Sequence, residues 1–283
     1  MKTQSSTRLP IVNTESTNIC NQMKTALLIS TYNWPEALDK VLQSVFMQTE
    51  LPNEILIADD GSTDETKNLI NYWSQKSPIP IKHFWQEDDG FRKTIIMNKA
   101  IANTDAEYII QIDGDIVLDK NFVKDHVKDR AKLFYLNGAR SLISEENTKK
   151  ILSEKELRMD WVKNNVKNKI NATRLPFLSP LLRGKKTKSN NVKGCNFSFW
   201  RADFIKVNGY NNDISGWGHE DIELAARLNN IGVYQRRIKL KAICYHLYHK
   251  TFDRKNERKN FSKYQEVVDE KITTCSNGFK QSI

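Results

Sequence analysis

The chain has 283 residues, of which 39% are hydrophobic and 10% aromatic, a composition typical of folded globular proteins and not of disordered ones. Its 44 basic and 34 acidic residues give a net charge of +10, so we expect anionic partners: nucleic acid, diphosphates or an acidic membrane face. No apolar run approaches the roughly 20 residues that a membrane span requires. This length allows one large core, or one domain with a smaller appendage.

The N-terminal residues and the cysteines indicate a compartment. Residues 1–22 are rich in Ser, Thr and Asn and lack the apolar core of a signal peptide, which predicts a loosely ordered extension and a cytoplasmic protein. The four cysteines lie far apart with no CxxC spacing: Cys20, Cys195, Cys244 and Cys275. We expect reduced structural thiols there, and neither a disulfide framework nor a zinc site.

Short apolar runs alternate with helical patterns from Lys24 onwards. Four runs are predicted to be buried strands: TALLIS (25–30), EILIADD (54–60), IKHFWQ (81–86) and EYIIQID (107–113). Three stretches are predicted to be helices: 35–48, which begins with a proline, 62–72 and 92–103. Ser62 and Glu65 have the spacing of a capping box at the start of the second helix. The alternation predicts a parallel α/β sheet, in which ligands bind beyond the carboxyl ends of the strands.

Polar residues follow three of the predicted strands, as STYN at 30–33, DDGS at 59–62 and DGD at 113–115. An Asp-Gly turn is most often only a turn, but three polar ends at one edge of one sheet favour a binding site. No GxGxxG or GxxxxGK[ST] motif is present, so a cation and side chains would have to meet phosphate charge. The Asp-Gly-Asp stretch is the natural metal candidate, since paired carboxylates bind hard divalent ions.

Two histidines, His246 and His249, recur late in the chain within CYHLYHK. Their spacing would let both reach one ion beside the acidic stretch. The alternative interpretation is a pair of partly buried structural histidines. Mixed carboxylate and imidazole ligands suit Mn²⁺ first and Mg²⁺ second.

The stretch SGWGHEDIELAARL, residues 215–228, sets a Trp-bearing turn against two carboxylates at a predicted helix start. Glu220 and Asp221 could merely complement the helix dipole, with Trp217 filling a gap in the core. The functional alternative is a turn that approaches a sugar, with one carboxylate acting as a general base. The other acidic motifs of the chain favour the second interpretation.

Together these motifs resemble glycosyltransferase family 2, with the GT-A fold, over residues 24–250. LLISTYNWPEALDKVLQSVFMQT, EILIADDGSTDET and IIQIDGDIVL resemble the nucleotide-sugar half of that family. WQEDDGFRKTIIMNKAI resembles a variant common among bacterial surface-polysaccharide enzymes, although Met97 stands where an Arg is expected before Asn98. KGCNFSFWRADFIKVNGYNNDISGWGHEDIELAARL is similar to the acceptor half of β-1,4-galactosyltransferases, with His219 replacing a glycine and His246 replacing a methionine metal ligand.

The resemblance implies a role for each matching residue. Asp221 is the expected catalytic base, and Asp60 is expected to hydrogen-bond uracil. The expected acceptor-binding residues are Trp217, Gly218, His219 and Glu220. The expected nucleotide-sugar-binding residues are Thr31, Tyr32, Asn33, Asp60, Arg92, Asn98, Asp113 and Gly114. The expected metal ligands are Asp113, Asp115, His246 and His249.

The resemblance also implies an α/β GT-A fold: a mixed, mostly parallel sheet flanked by helices, with a C-terminal helical extension. The domain would cover residues 23–250 and be followed by a basic C-terminal helix and tail at 251–283. Within the domain we expect three parts: a nucleotide-sugar-binding half (23–118), a variable basic segment (119–192) and an acceptor-binding catalytic half (193–250). The C-terminal helix would pack back on the domain or lie on a membrane surface.

The basic residues cluster within residues 149–194, which form either a solvated face or mobile loop, or an approach surface for an anionic substrate or membrane. Residues 140–193 would hold a lid or acceptor loop, or a variable insertion. The resemblance implies metal-dependent inverting transfer from a UDP-sugar to a glycan or lipid-linked glycan, forming a β linkage. Galactose is the first expectation, before GlcNAc, GalNAc or Glc, in bacterial surface polysaccharide or lipopolysaccharide synthesis. A lipid-linked acceptor would place the protein at the inner face of the cell membrane.

Two other classes of function share parts of these patterns. A nucleotide-sugar nucleotidyltransferase could use the same acidic strand ends, but it has no need of an acceptor base in the Gly-Trp-Gly turn. A polyanion-binding protein would explain the charge of +10. The chain shows no aromatic-basic RNA signature, zinc spacing or DNA-reading helix, so a nucleic-acid partner is not expected.

Overall fold

The computed structural model describes residues 23–250 and 254–283, and its core is an eight-stranded sheet. The strands are β1 (Thr25–Thr31), β2 (Glu54–Asp59), β3 (Ile81–Trp85), β4 (Tyr108–Asp113), β5 (Ile116–Leu118), β6 (Phe134–Gly138), β7 (Ser141–Leu142), β8 (Lys185–Lys186), β9 (Phe197–Trp200), β10 (Tyr234–Ile238) and β11 (Cys244–His246). The order across the large sheet is β3-β2-β1-β4-β9-β6-β10-β8. The predicted mixed, mostly parallel sheet is confirmed.

Strands β1, β2 and β4 are almost entirely buried, which explains their continuous apolar sequences. β1 pairs in parallel with β2 on one side and with β4 on the other. In this register Thr31 lies opposite Asp59, and Ser30 lies opposite Asp113. The polar residues that follow these strands therefore meet at one edge of the sheet.

The helices cover both faces of the sheet. They are α1 (Pro35–Phe46), α2 (Asp64–Lys76), α3 (Lys93–Ala102), α4 (Phe122–Asp129), α5 (Glu145–Ser153), α6 (Met159–Asn164), α7 (Lys169–Ala172), α8 (Arg201–Lys206), α9 (Glu220–Asn230) and α10 (Glu257–Asp269). Alternate residues of β1 serve opposite layers, because successive side chains of a strand point to opposite faces. Ala26 and Leu28 pack towards α3 and α9, whereas Leu27 and Ile29 pack towards α1 and α4.

A second, three-stranded sheet in the order β5-β11-β7 stands beside the first. β5 and β11 are antiparallel, and His246 lies opposite Ile116, the residue that follows Asp115. The backbone N–H of Leu247 donates to the carbonyl of Asp115 at 3.0 Å. This small sheet is what carries the late histidines to the Asp-Gly-Asp turn.

The predicted capping box at Ser62 and Glu65 is wrong. Helix α2 begins at Asp64, and its N-cap residue is Thr63, whose side chain makes no capping hydrogen bond. The Ser62 hydroxyl instead accepts a hydrogen bond at 2.9 Å from the backbone N–H of Asn33, after β1. The Ser62 hydroxyl is therefore used in a contact between the segments that follow β1 and β2, and not as a cap of α2.

The C-terminal helical extension is confirmed as α10, which packs back on α9. Asn260 of α10 is buried, and its amide donates to the carbonyls of Ser215 and Gly218 at 3.1 Å each. Of the four cysteines, the three within the described residues are buried free thiols, as expected. The expected extension at residues 1–22 lies outside the described residues. Among the described helices, none combines the length and the apolar character needed to cross a bilayer.

One ion pair inside this core predicts a large stability effect. The guanidinium of Arg227 lies 2.5 Å from Glu223, with both side chains fully buried, and it also donates to the carbonyls of Val207 and Gly209. Arg227→Met should lower the free energy of unfolding by about 3–5 kcal/mol, because Glu223 is left as an uncompensated buried charge. Urea denaturation measures the loss. Lys149→Met is the matched control, since it removes an exposed pair of the same helical spacing with Glu145. Equal midpoints for the two variants would contradict this account.

Candidate active site

A cleft of about 1130 Å³ opens at the carboxyl ends of β1, β2 and β4. Its other walls come from the start of α9 and the end of β11. The cleft contains all of the predicted site residues except Arg92 and Asn98: Thr31, Tyr32, Asn33, Asp60, Asp113, Gly114, Asp115, Trp217, Gly218, His219, Glu220, Asp221, His246 and His249. The two halves of the sequence pattern thus share one cavity, large enough for a ligand bigger than a typical small molecule.

Asp115, His246 and His249 form a cluster suited to a divalent cation. One carboxylate oxygen of Asp115 lies 3.5 Å from Nε2 of His246 and 3.3 Å from Nε2 of His249. The other oxygen, Oδ1, is buried and has no hydrogen-bond partner among the described residues. One potential ligand atom from each residue lies within 4.8 Å of the other two.

The protonation preferences of this cluster agree with a metal site. Burial raises the pKa of Asp115 to about 7, with a further contribution from the charge of Asp113. Burial lowers the pKa of His246 to about 4, with Arg140 and His249 adding to the effect, so its imidazole is neutral and keeps a lone pair. A bound cation would offset the cost of burying the Asp115 charge, and neutral imidazole is the form that ligates.

Asp113, the other predicted metal ligand, is engaged differently. Its Oδ1 atom accepts hydrogen bonds from the ammonium of Lys93 at 2.7 Å and from the hydroxyl of Ser30 at 3.0 Å. Burial opposes ionisation of Asp113, but Lys93 outweighs it and holds the pKa of this carboxyl below its usual range. Asp113 is therefore a charged partner of Lys93, next to the cluster and not part of it.

Lys93 joins the two sides of the cleft. Its ammonium also lies 3.8 Å from the carboxylate of Glu220, at the start of α9. Burial disfavours the ammonium, but the charges of Asp113, Glu220 and Asp221 together hold the pKa of Lys93 above its ordinary value. In the sequence Lys93 follows EDDGF, a position that predicts either a contact to diphosphate or the start of a surface helix. Its bridging position depends on the distance between two motifs that are far apart in the chain.

Asp221 is held by backbone and side-chain donors. The N–H of Gly194 donates to Asp221 at 2.8 Å, and the hydroxyl of Tyr210 donates at 3.3 Å. A Cβ atom on residue 194 would lie 2.3 Å from the Asp221 carboxylate, so this close approach requires glycine. Burial raises the pKa of Asp221 despite the opposing charge of Lys93. Desolvation thus offsets the stabilisation that the N-terminus of α9 gives to an ionised Asp221.

Glu220, the neighbour of Asp221, is also perturbed by burial. Burial, followed by the neighbouring charge of Asp221, raises the pKa of Glu220 to about 7. Near neutrality this carboxyl can hold a proton and donate it in a hydrogen bond. The donors Gly194 and Tyr210 favour the ionised form of Asp221, the form that can accept a proton. Two adjacent carboxyls in different environments can therefore take different roles.

The Gly-Trp-Gly-His turn uses left-handed backbone at three positions. Gly216, Gly218 and His219 have φ values of 75°, 102° and 75°. A left-handed conformation is uncommon at a non-glycine residue such as His219. The guanidinium of Arg254 lies 4.8 Å from the centre of the Trp217 ring. The turn is thereby set at the mouth of the cleft with a half-buried indole.

Asp60 lies on the opposite wall of the cleft. Its carboxylate accepts hydrogen bonds from the amide of Gln86 at 2.5 Å and from the backbone N–H of Arg92 at 2.9 Å. Burial raises the pKa of Asp60 to about 6, and these two donors limit the rise. An ionised Asp60 keeps acceptor capacity for a ligand.

Two predicted nucleotide-binding residues do not reach the cleft. The guanidinium of Arg92 donates to the carbonyl of Glu87 and pairs with Asp89 at 3.2 Å. Asn98 is fully buried, and its amide bonds the backbone of Tyr210 in both directions, at 2.8 and 2.9 Å. In this structure Arg92 offers its backbone N–H to Asp60, and Asn98 ties α3 to the acceptor half.

Solved glycosyltransferase structures have the same fold as this chain. It matches the S. aureus TarS fragment 1–349 in complex with UDP-GlcNAc with a TM-score of 0.60 at 15% identity, covering 92% of this chain and 69% of that one. It matches GalNAc-T7 with UDP, GalNAc and Mn²⁺ with a TM-score of 0.59 at 18% identity, covering 87% and 49%. The GT-A fold expected from the sequence is confirmed.

The sequence comparisons assign the family. The chain is 25% identical over 233 residues to validoxylamine A glucosyltransferase of Streptomyces hygroscopicus subsp. limoneus, covering 74% of this chain and 48% of the relative. It spans about half or less of the length of the first curated relatives that it matches. The N-terminal domain of galactosyltransferase matches residues 182–250. Glycosyl transferase family 2 matches residues 26–197, more than half of the chain. With this match, on a cleft that unites acidic strand ends and a carboxylate pair, the chain belongs to glycosyl transferase family 2.

Proposed function

We propose that this chain transfers a sugar from a UDP-sugar to a glycan or lipid-linked glycan acceptor, with inversion at the anomeric carbon to give a β linkage. Galactose is the first choice of sugar, ahead of GlcNAc, GalNAc and Glc. The observation that carries the proposal is that the Asp115–His246–His249 cluster and the carboxylate of Asp221 line the same cleft. The cluster suits a diphosphate with its cation, and Asp221 suits a nucleophile that must lose a proton.

Asp221 is the proposed general base. The acceptor hydroxyl oxygen forms a bond to the anomeric carbon, while the bond from that carbon to the diphosphate oxygen breaks. The electron pair of the broken bond leaves with UDP, and the hydroxyl proton passes to Asp221. Burial raises the pKa of Asp221 towards neutral pH. A general base works best when its pKa lies near the working pH, so this shift favours proton transfer. The N–H of Gly194 fixes one carboxylate oxygen and leaves the other able to accept the proton.

Asp115, His246 and His249 are the proposed ligands of a divalent cation, Mn²⁺ first and Mg²⁺ second. When bound, such a cation supplies Lewis-acid stabilisation of the charge that develops on a diphosphate leaving group. The presence of UDP and Mn²⁺ in a solved relative with the same fold supports this pairing. Asp60 would accept the N3–H of uracil, beside the strand-end residues Thr31 and Asn33.

Trp217, Gly218, His219 and Glu220 are the proposed acceptor site. An indole presented at the mouth of the cleft can stack on the apolar face of a sugar, and Glu220 can hydrogen-bond its hydroxyl groups. A role in bacterial surface polysaccharide or lipopolysaccharide synthesis fits such an acceptor. Membership of the glycosyltransferase family disfavours the nucleotidyltransferase and polyanion-binding alternatives.

Asp221→Asn should abolish transfer and leave donor binding intact, because the amide cannot accept the proton. UDP release with Mn²⁺ across a panel of UDP-sugars identifies the donor, and transfer to its acceptor should then fall by about 10²–10⁴-fold in the variant. Asp160→Asn, an exposed carboxylate on α6, is the matched control. Normal transfer by Asp221→Asn, or the same loss in both variants, would rule out Asp221 as the base.

His249→Asn should weaken Mn²⁺ binding by more than about tenfold, since loss of even an outer-shell partner commonly has that effect. Calorimetric titration of the full chain with MnCl₂ measures the affinity without any turnover. His83→Asn is the matched control, because His83 also contacts an aspartate, Asp59, at 2.9 Å but lies outside the cleft. Equal Mn²⁺ affinity in both variants would contradict the proposed ligand set.

The pKa of Asp60 predicts a pH dependence of donor binding. Because this pKa is raised to about 6, Asp60 is ionised above that pH and protonated below it. UDP-glucose affinity in metal-free buffer should therefore fall about tenfold as the pH is lowered from about 7.5 to about 5, where about a tenth of the carboxyl is ionised. Asp60→Asn should bind weakly at every pH. An affinity of the wild type that does not change with pH would show that Asp60 does not bind the donor.

A further inference from the structure

Five apolar side chains stand in solvent on one short segment. Within residues 170–182 the exposed fractions reach 82% for Ile170, 72% for Phe177 and 81% for Leu181, and Leu178 and Leu182 are also exposed. Single exposed apolar residues are normal on a protein surface, but five on one short segment favour an interaction site. We refer to these five residues as the apolar tip.

Two ion pairs with α4 anchor the segment that carries most of the apolar tip. Arg174 pairs with Asp125 at 2.6 Å, and Arg183 pairs with Asp129 at 2.5 Å, one turn further along α4. Both aspartates are buried. The N–H of Leu175 also donates to the backbone carbonyl of residue 240 at 3.0 Å. The segment between the two arginines is therefore anchored at both ends, and it carries four of the five exposed apolar residues, with Ile170 just before it.

The sequence around the apolar tip is strongly basic, although Arg174 and Arg183 are paired with aspartates. Residues 161–202 contain ten Lys or Arg residues and no Asp or Glu, so this stretch alone accounts for a charge equal to the whole net charge of +10. Lys167, Lys169, Lys185 and Lys188 are exposed on either side of the tip. A lysine can place its ammonium beside an anionic group while its alkyl chain covers apolar surface.

We propose that this face binds the surface of an anionic phospholipid bilayer. The apolar tip enters the headgroup region, and the flanking lysines contact the lipid phosphates. Two other occupants fit the face less well. A second copy would bring two stretches of ten positive charges together, and like charges repel. A nucleic acid would satisfy the lysines but leave exposed aliphatic side chains such as Ile170 and Leu181 in water.

The position of this face has a consequence for the acceptor, which rests on the proposed function. The tip lies in the chain between Lys167 and residues 190–194, and both of these border the cleft. A bilayer docked here would hold a lipid-linked acceptor close to Asp221. The bilayer contact itself depends only on the exposed segment and its charge.

Flotation of the full chain with vesicles tests the proposal. Vesicles of phosphatidylcholine with phosphatidylglycerol should carry the protein upwards, and vesicles of phosphatidylcholine alone should carry much less. The double variant Phe177→Ser with Leu181→Ser should partition into the anionic vesicles at least about tenfold less. Met47→Ser with Tyr72→Ser is the matched control, because it removes two exposed apolar side chains near the opposite end of the sheet. UDP-sugar hydrolysis in the same samples should be equal for all three proteins.

Three results would overturn the proposal. The wild type could fail to float with anionic vesicles, or the tip variant could float as well as the control. Light scattering could also show a dimer that the tip variant alone disrupts, which would make a second copy the occupant. If none of the three proteins hydrolysed a UDP-sugar but the flotation results were as expected, the proposed function would be contradicted and the bilayer contact supported.

Discussion

The cleft depends on the ion pairs that the ammonium of Lys93 makes with carboxylates from two parts of the chain. The ammonium lies 2.7 Å from Asp113 at the end of β4 and 3.8 Å from Glu220 at the start of α9. Without this cation, carboxylates from two distant parts of the chain would face each other in a buried space, where uncompensated charge is costly. Lys93 thus lets the end of β4 and the start of α9 stand together, and it leaves the acidic groups in two sets with different protonation.

This division explains how one acidic cavity can serve two kinds of chemistry. Asp113 is held ionised by Lys93, whereas burial raises the pKa of Asp115 and of Glu220 to about 7. The charge of Asp115 is left for a cation to balance. Glu220 is able to donate a hydrogen bond, and Asp221 is able to accept a proton. The environment of each carboxyl, and not its residue type, decides its role.

Most of the fold that positions the cleft could be predicted from local sequence. β1, β2 and β4 are apolar almost throughout and are bounded by polar turns, so their burial and their shared edge follow directly. β9 could not be predicted in this way, because it enters the sheet between β4 and β6 by antiparallel pairing with strands remote in sequence. The small β5-β11-β7 sheet is likewise made of strands too short to stand out.

The candidate site, like the fold, could be predicted where it depends on short motifs and not where it depends on contacts between distant residues. The strand-end aspartates, the histidine pair and the Gly-Trp-Gly-His turn are short motifs, and they do meet in one cleft. Asn98 lies in a matching motif, yet its amide is used by Tyr210 and Asn212, both more than a hundred residues away. The support that Asn260 gives to the turn, and the space that Gly194 leaves for Asp221, also depend on tertiary contacts that no local pattern records.

The proposed function requires a cation and a diphosphate to occupy the cleft together. The most direct test is calorimetric titration of UDP into the full chain with and without Mn²⁺, corrected for Mn²⁺–UDP complexes in solution, for the wild type and for Asp115→Asn. The account predicts that Mn²⁺ tightens UDP binding to the wild type by at least about tenfold, and that this gain disappears in Asp115→Asn. UDP affinity that is the same with and without Mn²⁺, or a gain that survives in Asp115→Asn, would contradict it.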